Sequence, residues 1–153
     1  MLIDAATDTK VSIAGTVSPA SVVVKGKGHV TLEGDGTIGG DGSLNKAGEG
    51  TLTVSTANAY KGATVVHEGV LEFNTLANGG ENSAIGASDE FAQNWILDGG
   101  TYRYTGGSTS TNRSMMIYKE STFDIANAST TVTMTGSVEG AGNFVLDGKG
   151  KLS

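Results

Sequence analysis

Apolar and polar residues alternate in short runs along most of the chain. Between Thr51 and Ser55 the apolar Leu52 and Val54 lie on one face, while the hydroxyl residues lie on the other. This period of two is typical of a half-buried β-strand. It predicts an all-β chain built from many short strands, with Leu52 and Val54 facing inward. Similar runs recur at 10–13, 22–24, 29–33, 63–67, 70–73, 95–97, 101–104, 115–118, 121–125, 131–134 and 144–146.

Short corners separate these runs, and several of them combine an acidic residue with glycine. Glu68-Gly69 lies between two runs, and Asp98-Gly99 and Asp147-Gly148 repeat the arrangement. Such corners are found as hairpin turns in a β-sandwich and as bends in a continuous solenoid. The spacing of the corners does not separate these two folds.

An internal repeat favours the solenoid. The segment 36–52 returns as 136–152 with the same glycine spacing and no gap, so that Leu44 matches Phe144 and Leu52 matches Leu152. Strands of a sandwich have no need to repeat, whereas coils of a solenoid do. We therefore predict that the Gly36 and Gly136 copies occupy equivalent corners. The predicted structural glycines are Gly36, Gly40, Gly42, Gly48, Gly50, Gly99, Gly136, Gly140, Gly142, Gly148 and Gly150.

The pattern predicts one solenoid module over residues 1–153, with about six or seven coils at roughly 20–25 residues per coil. Segment 77–94 is polar and unpatterned, which predicts a loop leaving one corner, with a helical turn near Asp89-Glu90-Phe91. The second repeat copy stops at Ser153, before the turn that Asn58 and Tyr60 supply in the first copy. We therefore expect a slice of a longer solenoid, with adjacent domains as partners and an open last coil able to self-associate edge to edge. The predicted parts are leading coils at 1–35, a first repeat at 36–76, the loop at 77–94, spacer coils at 95–135 and a truncated second repeat at 136–153.

Composition narrows the range of functions. The chain has 24 glycines, one proline and no cysteine, which favours strands and turns over helices and excludes thiol or disulfide chemistry. A formal net charge of −6 argues against nucleic acid or an anionic membrane as a partner. No basic and apolar leader opens the sequence, so Met1 is expected not to be the native start.

The sequence contains no motif that predicts catalysis. No Gly-x-Ser-x-Gly elbow is present, and Gly148-Lys149-Gly150 lacks the hydroxyl residue that completes a phosphate loop. Gly39 to Leu44 resembles a calcium-binding nonapeptide, but Leu44 stands where the ligand carboxylate belongs. We predict that the chain is not an enzyme and that it holds no cofactor and no metal.

Most aromatic residues cluster between Phe91 and Phe123, which leaves two interpretations open. Aromatic faces beside polar groups bind sugar rings, so the cluster could be a polysaccharide platform. Alternatively, the same rings could fill a widened core. Exposure of Trp95 and Tyr60 would favour the platform, and burial would favour the core. The candidate ligand-binding residues are Tyr60, Trp95, Tyr102, Arg103, Tyr104 and Tyr118.

The central part of the chain resembles the autotransporter-associated β-strand repeat, also called the passenger-associated transport repeat. The motif runs as Gly-x-Gly-Thr-Leu-Thr, then Asn-x-Tyr-x-Gly-x-Thr-x-Val, then Gly-x-Leu. The matching residues here are Gly48, Gly50, Thr51, Leu52, Thr53, Asn58, Tyr60, Gly62, Thr64, Val66, Gly69 and Leu71.

The resemblance implies a right-handed parallel β-helix in a large secreted or cell-surface bacterial protein. It carries no catalytic residues, and it implies a structural module that acts as a spacer or scaffold in passenger export or adhesion. The alternative is a carbohydrate-binding module attached to an extracellular polysaccharide-degrading enzyme.

Overall fold

The chain folds into a β-solenoid of seven coils, in which every pairing between strands is parallel. The computed structural model describes all 153 residues. The predicted all-β solenoid of six or seven coils is confirmed. The strands stack on strands of the coil before them. They do not form the antiparallel hairpins that a sandwich would require.

Two long sheets form the walls of the solenoid. We call them face 1 and face 2. In each coil, face 1 contributes the first strand and face 2 the second. Face 1 contains β1 (Leu2–Ala5), β4 (Ser21–Gly26), β7 (Ser43–Lys46), β9 (Thr64–Val66), β11 (Trp95–Leu97), β14 (Met115–Ile117) and β17 (Val138–Gly140).

Face 2 pairs its strands so that inward residues stack in columns. Leu52 lies between Val30 and Leu71, and the column continues through Tyr102 and Phe123. Leu52 and Val54 are fully buried, as the alternation predicts. Face 2 contains β2 (Thr9–Ser12), β5 (His29–Glu33), β8 (Thr51–Val54), β10 (Val70–Phe73), β12 (Thr101–Tyr104), β15 (Ser121–Ile125) and β18 (Phe144–Gly148).

The third side, face 3, is interrupted. Its strands form one sheet of two strands and one of three, and the third and fourth coils have no strand there. In the third coil residues 55–63 occupy this side, and the Ala59 N–H donates to the Ile38 carbonyl oxygen of β6. In the fourth coil an insert of residues 74–94 occupies it, and the insert includes one 3-10 helix at Ala92–Asn94. Face 3 contains β3 (Thr16–Val17), β6 (Thr37–Ile38), β13 (Thr109–Thr111), β16 (Thr131–Met134) and β19 (Lys151–Leu152).

The prediction that the Gly36 and Gly136 copies are equivalent corners is wrong. Gly36 precedes β6 on face 3, whereas Gly136 precedes β17 on face 1, and Leu44 and Phe144 likewise lie on different faces. The insert makes one coil longer than the others, so a constant spacing in sequence does not return to the same face. The two copies share the chemistry of a corner rather than a position in the coil.

Equivalent glycines are those that lie at the same corner in different coils. Gly48 and Gly50 join face 1 to face 2 in the third coil, as Gly140 and Gly142 do in the seventh. All the predicted structural glycines lie between strands or at the end of a strand. Gly40, Gly48, Gly99, Gly140 and Gly148 have positive φ, and Gly36, Gly42, Gly50, Gly136, Gly142 and Gly150 lie where an added Cβ would meet the previous coil.

Candidate functional site

The polar residues of the repeat motif lie inside the solenoid, beneath the insert. Asn58 is fully buried, and its Oδ1 accepts hydrogen bonds from the Ile38 N–H (3.1 Å) and the Thr56 hydroxyl (3.0 Å). Its Nδ2 donates to the carbonyl oxygens of Thr56 and Ala84, both at 3.2 Å. Asn58 therefore uses both its donors and its acceptor to join three segments, including the insert.

Tyr60 and Thr64 continue this buried contact. Their hydroxyls share a hydrogen bond of 2.7 Å, and the Thr64 hydroxyl donates to the Ile85 carbonyl oxygen at 3.1 Å. A Cβ on Gly86 would lie 2.6 Å from Cε2 of Tyr60, so only glycine allows the insert to approach the ring this closely. Burial raises the pKa of the Tyr60 phenol well above its usual range. The hydroxyl therefore acts only as a neutral donor.

Arg113 holds the other side of the insert. Its side chain is almost fully buried, yet its acceptors are carbonyl and hydroxyl oxygens rather than a carboxylate. Burial lowers the pKa of the guanidinium, which nevertheless stays protonated because arginine titrates so high. The acceptors are the carbonyl oxygens of Ala77 (3.0 Å), Asn78 (3.3 Å), Glu81 (3.3 Å) and Gly86 (3.0 Å), and the Ser88 hydroxyl oxygen (3.1 Å).

Residues 77–94 contain no strand, which confirms the predicted irregular loop, but the segment packs against the solenoid rather than leaving it at a corner. Residues 83–88 are all buried, and Ser83 forms an antiparallel bridge with Asn58. The helical turn predicted near Asp89-Glu90-Phe91 lies instead at Ala92–Asn94. Alternation did not reveal the packing because the insert is held by backbone polar contacts rather than by a strand.

The structure does not support the predicted aromatic platform. Tyr60, Trp95, Tyr102 and Tyr104 are all at most 3% exposed, so no ring face of these four is open to a sugar. Trp95 packs edge to face against Tyr102 and Phe123, with ring centroids 5.9 and 5.8 Å apart. Burial of Trp95 and Tyr60 is the outcome that favours the core interpretation.

The two remaining platform residues lie on the outside and do not join each other in a site. Tyr118 is exposed beyond the end of β14. Arg103 faces outward from β12, where its Nε donates to Asp124 Oδ2 at 2.7 Å and its Nη1 lies 3.9 Å from Glu72 Oε2. Arg103 therefore ties three coils together on the surface of face 2.

Lys46 is a buried cation that the sequence did not identify. Its Nζ donates to the carbonyl oxygens of Ala47, Gly48 and Glu68, which pins the corner between face 1 and face 2. Burial lowers the pKa of the Lys46 ammonium. Neither Lys46 nor Arg113 has a sequence signal, since their acceptors are backbone oxygens that any residue supplies.

A charged ladder crosses the same corner further along the solenoid. Asp98 accepts from His67 Nδ1 at 2.8 Å and lies 3.0 Å from Lys119 Nζ. The hydrogen bonds from His67 and Lys119 hold the pKa of the Asp98 carboxyl below its ordinary value. The ladder therefore joins three successive coils through one carboxylate.

Acid should weaken this ladder. A carboxyl whose pKa is lower in the folded state stabilises the fold above its unfolded pKa of about 3.9, and the contribution is lost as pH falls through the folded pKa. We expect the melting temperature of Asp98→Asn to fall less than that of the wild type between about pH 5 and pH 2. Asp4→Asn, which removes an exposed ion pair with Lys25, is the matched control because such pairs contribute little. Parallel pH curves for wild type and Asp98→Asn would contradict the assignment.

No pocket opens anywhere on the molecule, and no three side chains of histidine, aspartate or glutamate are grouped to hold a metal ion. None of the helical structure is long and apolar enough to cross a membrane. The buried polar contacts around the insert centre on Asn58, Tyr60, Thr64 and Arg113.

Comparison with known proteins agrees with this internal organisation. Residues 44–73 match the family described as passenger-associated-transport-repeat, which covers β7 to β10 and the Asn58–Thr64 contacts. Over 138 residues, or 88% of the chain, the sequence is 40% identical to the adhesin BmaC autotransporter of Brucella suis biovar 1 (strain 1330). The chain spans 4% of the length of that relative. No solved structure matches the chain. The chain therefore carries a passenger-associated-transport-repeat over residues 44–73, within a β-solenoid whose sequence is similar to a segment of an autotransporter adhesin.

Proposed function

We propose that the chain is a non-catalytic structural module of a secreted or cell-surface, autotransporter-like protein. It acts as a rigid spacer that carries neighbouring domains, and it assists export of the passenger to which it belongs. Its partners are adjacent coils of a longer chain, which stack on its end strands as each coil stacks on the previous one. Edge-to-edge contact between two copies uses the same unpaired strands.

The observation that carries this proposal is the direction in which the repeat motif faces. Asn58, Tyr60 and Thr64 are buried and hold the insert, and the glycines of the motif allow coils to stack closely. A binding motif would present such residues to solvent. Contacts that face inward and join only parts of this chain support a role in the stability and shape of the solenoid.

The sequence identity to an adhesin autotransporter supports the proposal that the segment belongs to a passenger. That relative is far longer than this chain, so one such segment forms a small part of a long passenger. Stacked coils rise by about 4.8 Å each, so seven coils extend the rod by roughly 30 Å. Length and stiffness, rather than a cleft, are what the segment contributes to the passenger.

Two tyrosine variants test the proposal, with the chain placed within an autotransporter passenger on bacterial cells. Tyr60→Ala removes a buried ring and its hydrogen bond to Thr64. We expect it to reduce surface display of the passenger, measured by antibody labelling of intact cells. Tyr118→Ala removes a ring of the same kind from the surface, and we expect display and host-cell attachment to stay at wild-type levels.

The opposite pattern would refute the spacer role. If Tyr118→Ala abolished attachment while display remained normal, the module would be a receptor-binding surface. If Tyr60→Ala were displayed as well as the wild type, the buried motif would be irrelevant to export.

A further inference from the structure

The insert contains an Asn-Gly sequence in an exposed turn. Asn78 begins the turn, Gly80 has a φ of +86°, and the Glu81 N–H donates to the Asn78 carbonyl oxygen at 3.1 Å. Asparagine followed by glycine is the sequence most prone to cyclise, because the glycine nitrogen has no neighbouring side chain to hinder attack on the asparagine carboxamide. An exposed turn is also where the main chain moves most freely.

In the native fold Asn112 engages both groups that would react. The Gly79 N–H donates to Asn112 Oδ1 at 2.8 Å, and the Asn112 N–H donates to Asn78 Oδ1 at 3.0 Å. The attacking nitrogen therefore points at Asn112 rather than at the Asn78 carboxamide. We propose that Asn78 is a deamidation site that Asn112 keeps closed, and that conversion of Asn78 to isoaspartate releases the insert.

The reaction needs only water. A hydroxide ion removes the Gly79 amide proton, the nitrogen forms a bond to Cγ of Asn78, and the Cγ–Nδ2 bond breaks as ammonia leaves with a proton from water. The product is a five-membered succinimide. Water then adds to one of its two carbonyl carbons, and the ring opens either to aspartate or to isoaspartate, in which the main chain passes through the former side chain.

The two products differ in what they do to Arg113. Aspartate leaves the main chain unchanged, so its carbonyl oxygen can still accept from Nη2 of Arg113, as that of Asn78 does at 3.3 Å. Isoaspartate lengthens the main chain by one methylene, within the turn whose ends, Asn78 and Glu81, both accept from this guanidinium. Isoaspartate therefore disturbs the Arg113 contacts, whereas aspartate does not.

Peptide mapping by mass spectrometry tests the protection. The intact chain is incubated at mildly alkaline pH, folded or in urea, and conversion at Asn78 is followed over time. We expect folded wild type to convert at least about fivefold more slowly than the urea-unfolded chain, the factor corresponding to one net hydrogen bond. Asn112→Ala should convert about fivefold faster than folded wild type for the same reason. Asn127→Ala, which removes a side-chain hydrogen bond to Thr105 far from the turn, is the matched control.

The consequence is tested on the separated products. We expect the isoaspartate form to melt roughly 2–4 °C below the wild type, the shift that the loss of one net hydrogen bond causes in a chain of this size, and Asn78→Asp to melt close to the wild type. Equal conversion rates in folded and unfolded wild type would overturn the proposal, even if Asn112→Ala failed to fold. An isoaspartate form as stable as wild type would overturn the release of the insert.

Discussion

Replacing Arg113 with methionine is expected to lower the free energy of unfolding by about 3–5 kcal/mol. Methionine fills a similar volume but donates no hydrogen bond. Three acceptors of Arg113 keep a second donor, because the carbonyl oxygens of Ala77, Asn78 and Gly86 also accept from the Thr111 hydroxyl, the Glu81 N–H and the Ser83 hydroxyl. The Glu81 carbonyl oxygen and the Ser88 hydroxyl oxygen would lose the donor that Arg113 supplies. Each unsatisfied buried acceptor costs about 1–3 kcal/mol, and a flexible insert would relieve only part of that cost by admitting water. Urea unfolding followed by circular dichroism measures the change.

Arg103→Met is the matched control. Arg103 also contacts several coils, but its ion pairs with Glu72 and Asp124 are half-buried on the outer face of the solenoid rather than enclosed within it. We therefore expect a loss of about 1 kcal/mol, the upper end for exposed pairs. The loss of stability in Arg113→Lys should lie between the losses in the two methionine variants, since lysine keeps the charge but cannot reach all the acceptors at once. If Arg113→Met and Arg103→Met lost the same stability, the guanidinium would not be what holds the insert.

The strands could be predicted from the sequence because each depends on a local property. Alternation in Thr51–Val54 places Leu52 inward whatever the rest of the chain does, since the side-chain period of a strand is fixed. The glycine corners are local for the same reason. The position of a corner within the coil is not local, and for this reason the Gly36 and Gly136 copies were wrongly equated.

The interior could be predicted only in part. Alternation shows that Tyr102 and Tyr104 share a face, but which face is decided by pairing with Leu71 and Phe73 in the coil before. That pairing spans the insert and leaves no trace in the spacing of the sequence. From the sequence alone, the aromatic residues therefore fit a surface platform and a buried core equally well.

The contacts of the insert could not be predicted at all from pattern. Arg113 binds backbone oxygens of a segment without periodicity, and a guanidinium carries no marker that distinguishes burial from exposure. The family motif did point to Asn58, Tyr60 and Thr64, although it gave no role for them. The structure assigns that role, which is to hold an irregular segment where face 3 has no strand.

Glycines stack in a column at the corner between face 1 and face 2, and replacing one of them is expected to cause a second large loss of stability. A Cβ on Gly50 would lie 2.2 Å from the carbonyl oxygen of Gly28 in the coil before, and a Cβ on Gly69 would lie 2.3 Å from the carbonyl oxygen of Gly50. Neighbouring coils therefore touch backbone to backbone at this corner. Gly50 also donates to the Gly26 carbonyl oxygen at 3.0 Å and accepts from the Val70 N–H at 3.2 Å, so displacing it breaks the stacking on both sides.

Gly50→Ala should consequently lower the free energy of unfolding by about 3 kcal/mol, the upper range for forcing atoms into a packed site. Thermal and urea unfolding measure the loss. Gly107→Ala is the matched control, because nothing lies within 4 Å of the added Cβ and its φ is not positive. There the alanine should be neutral or stabilising by up to about 1 kcal/mol, since it restricts the unfolded chain. Equal effects at both positions would show that the corner can open to admit a methyl group, and close stacking of the glycine column would then not be what fixes the spacing of the coils.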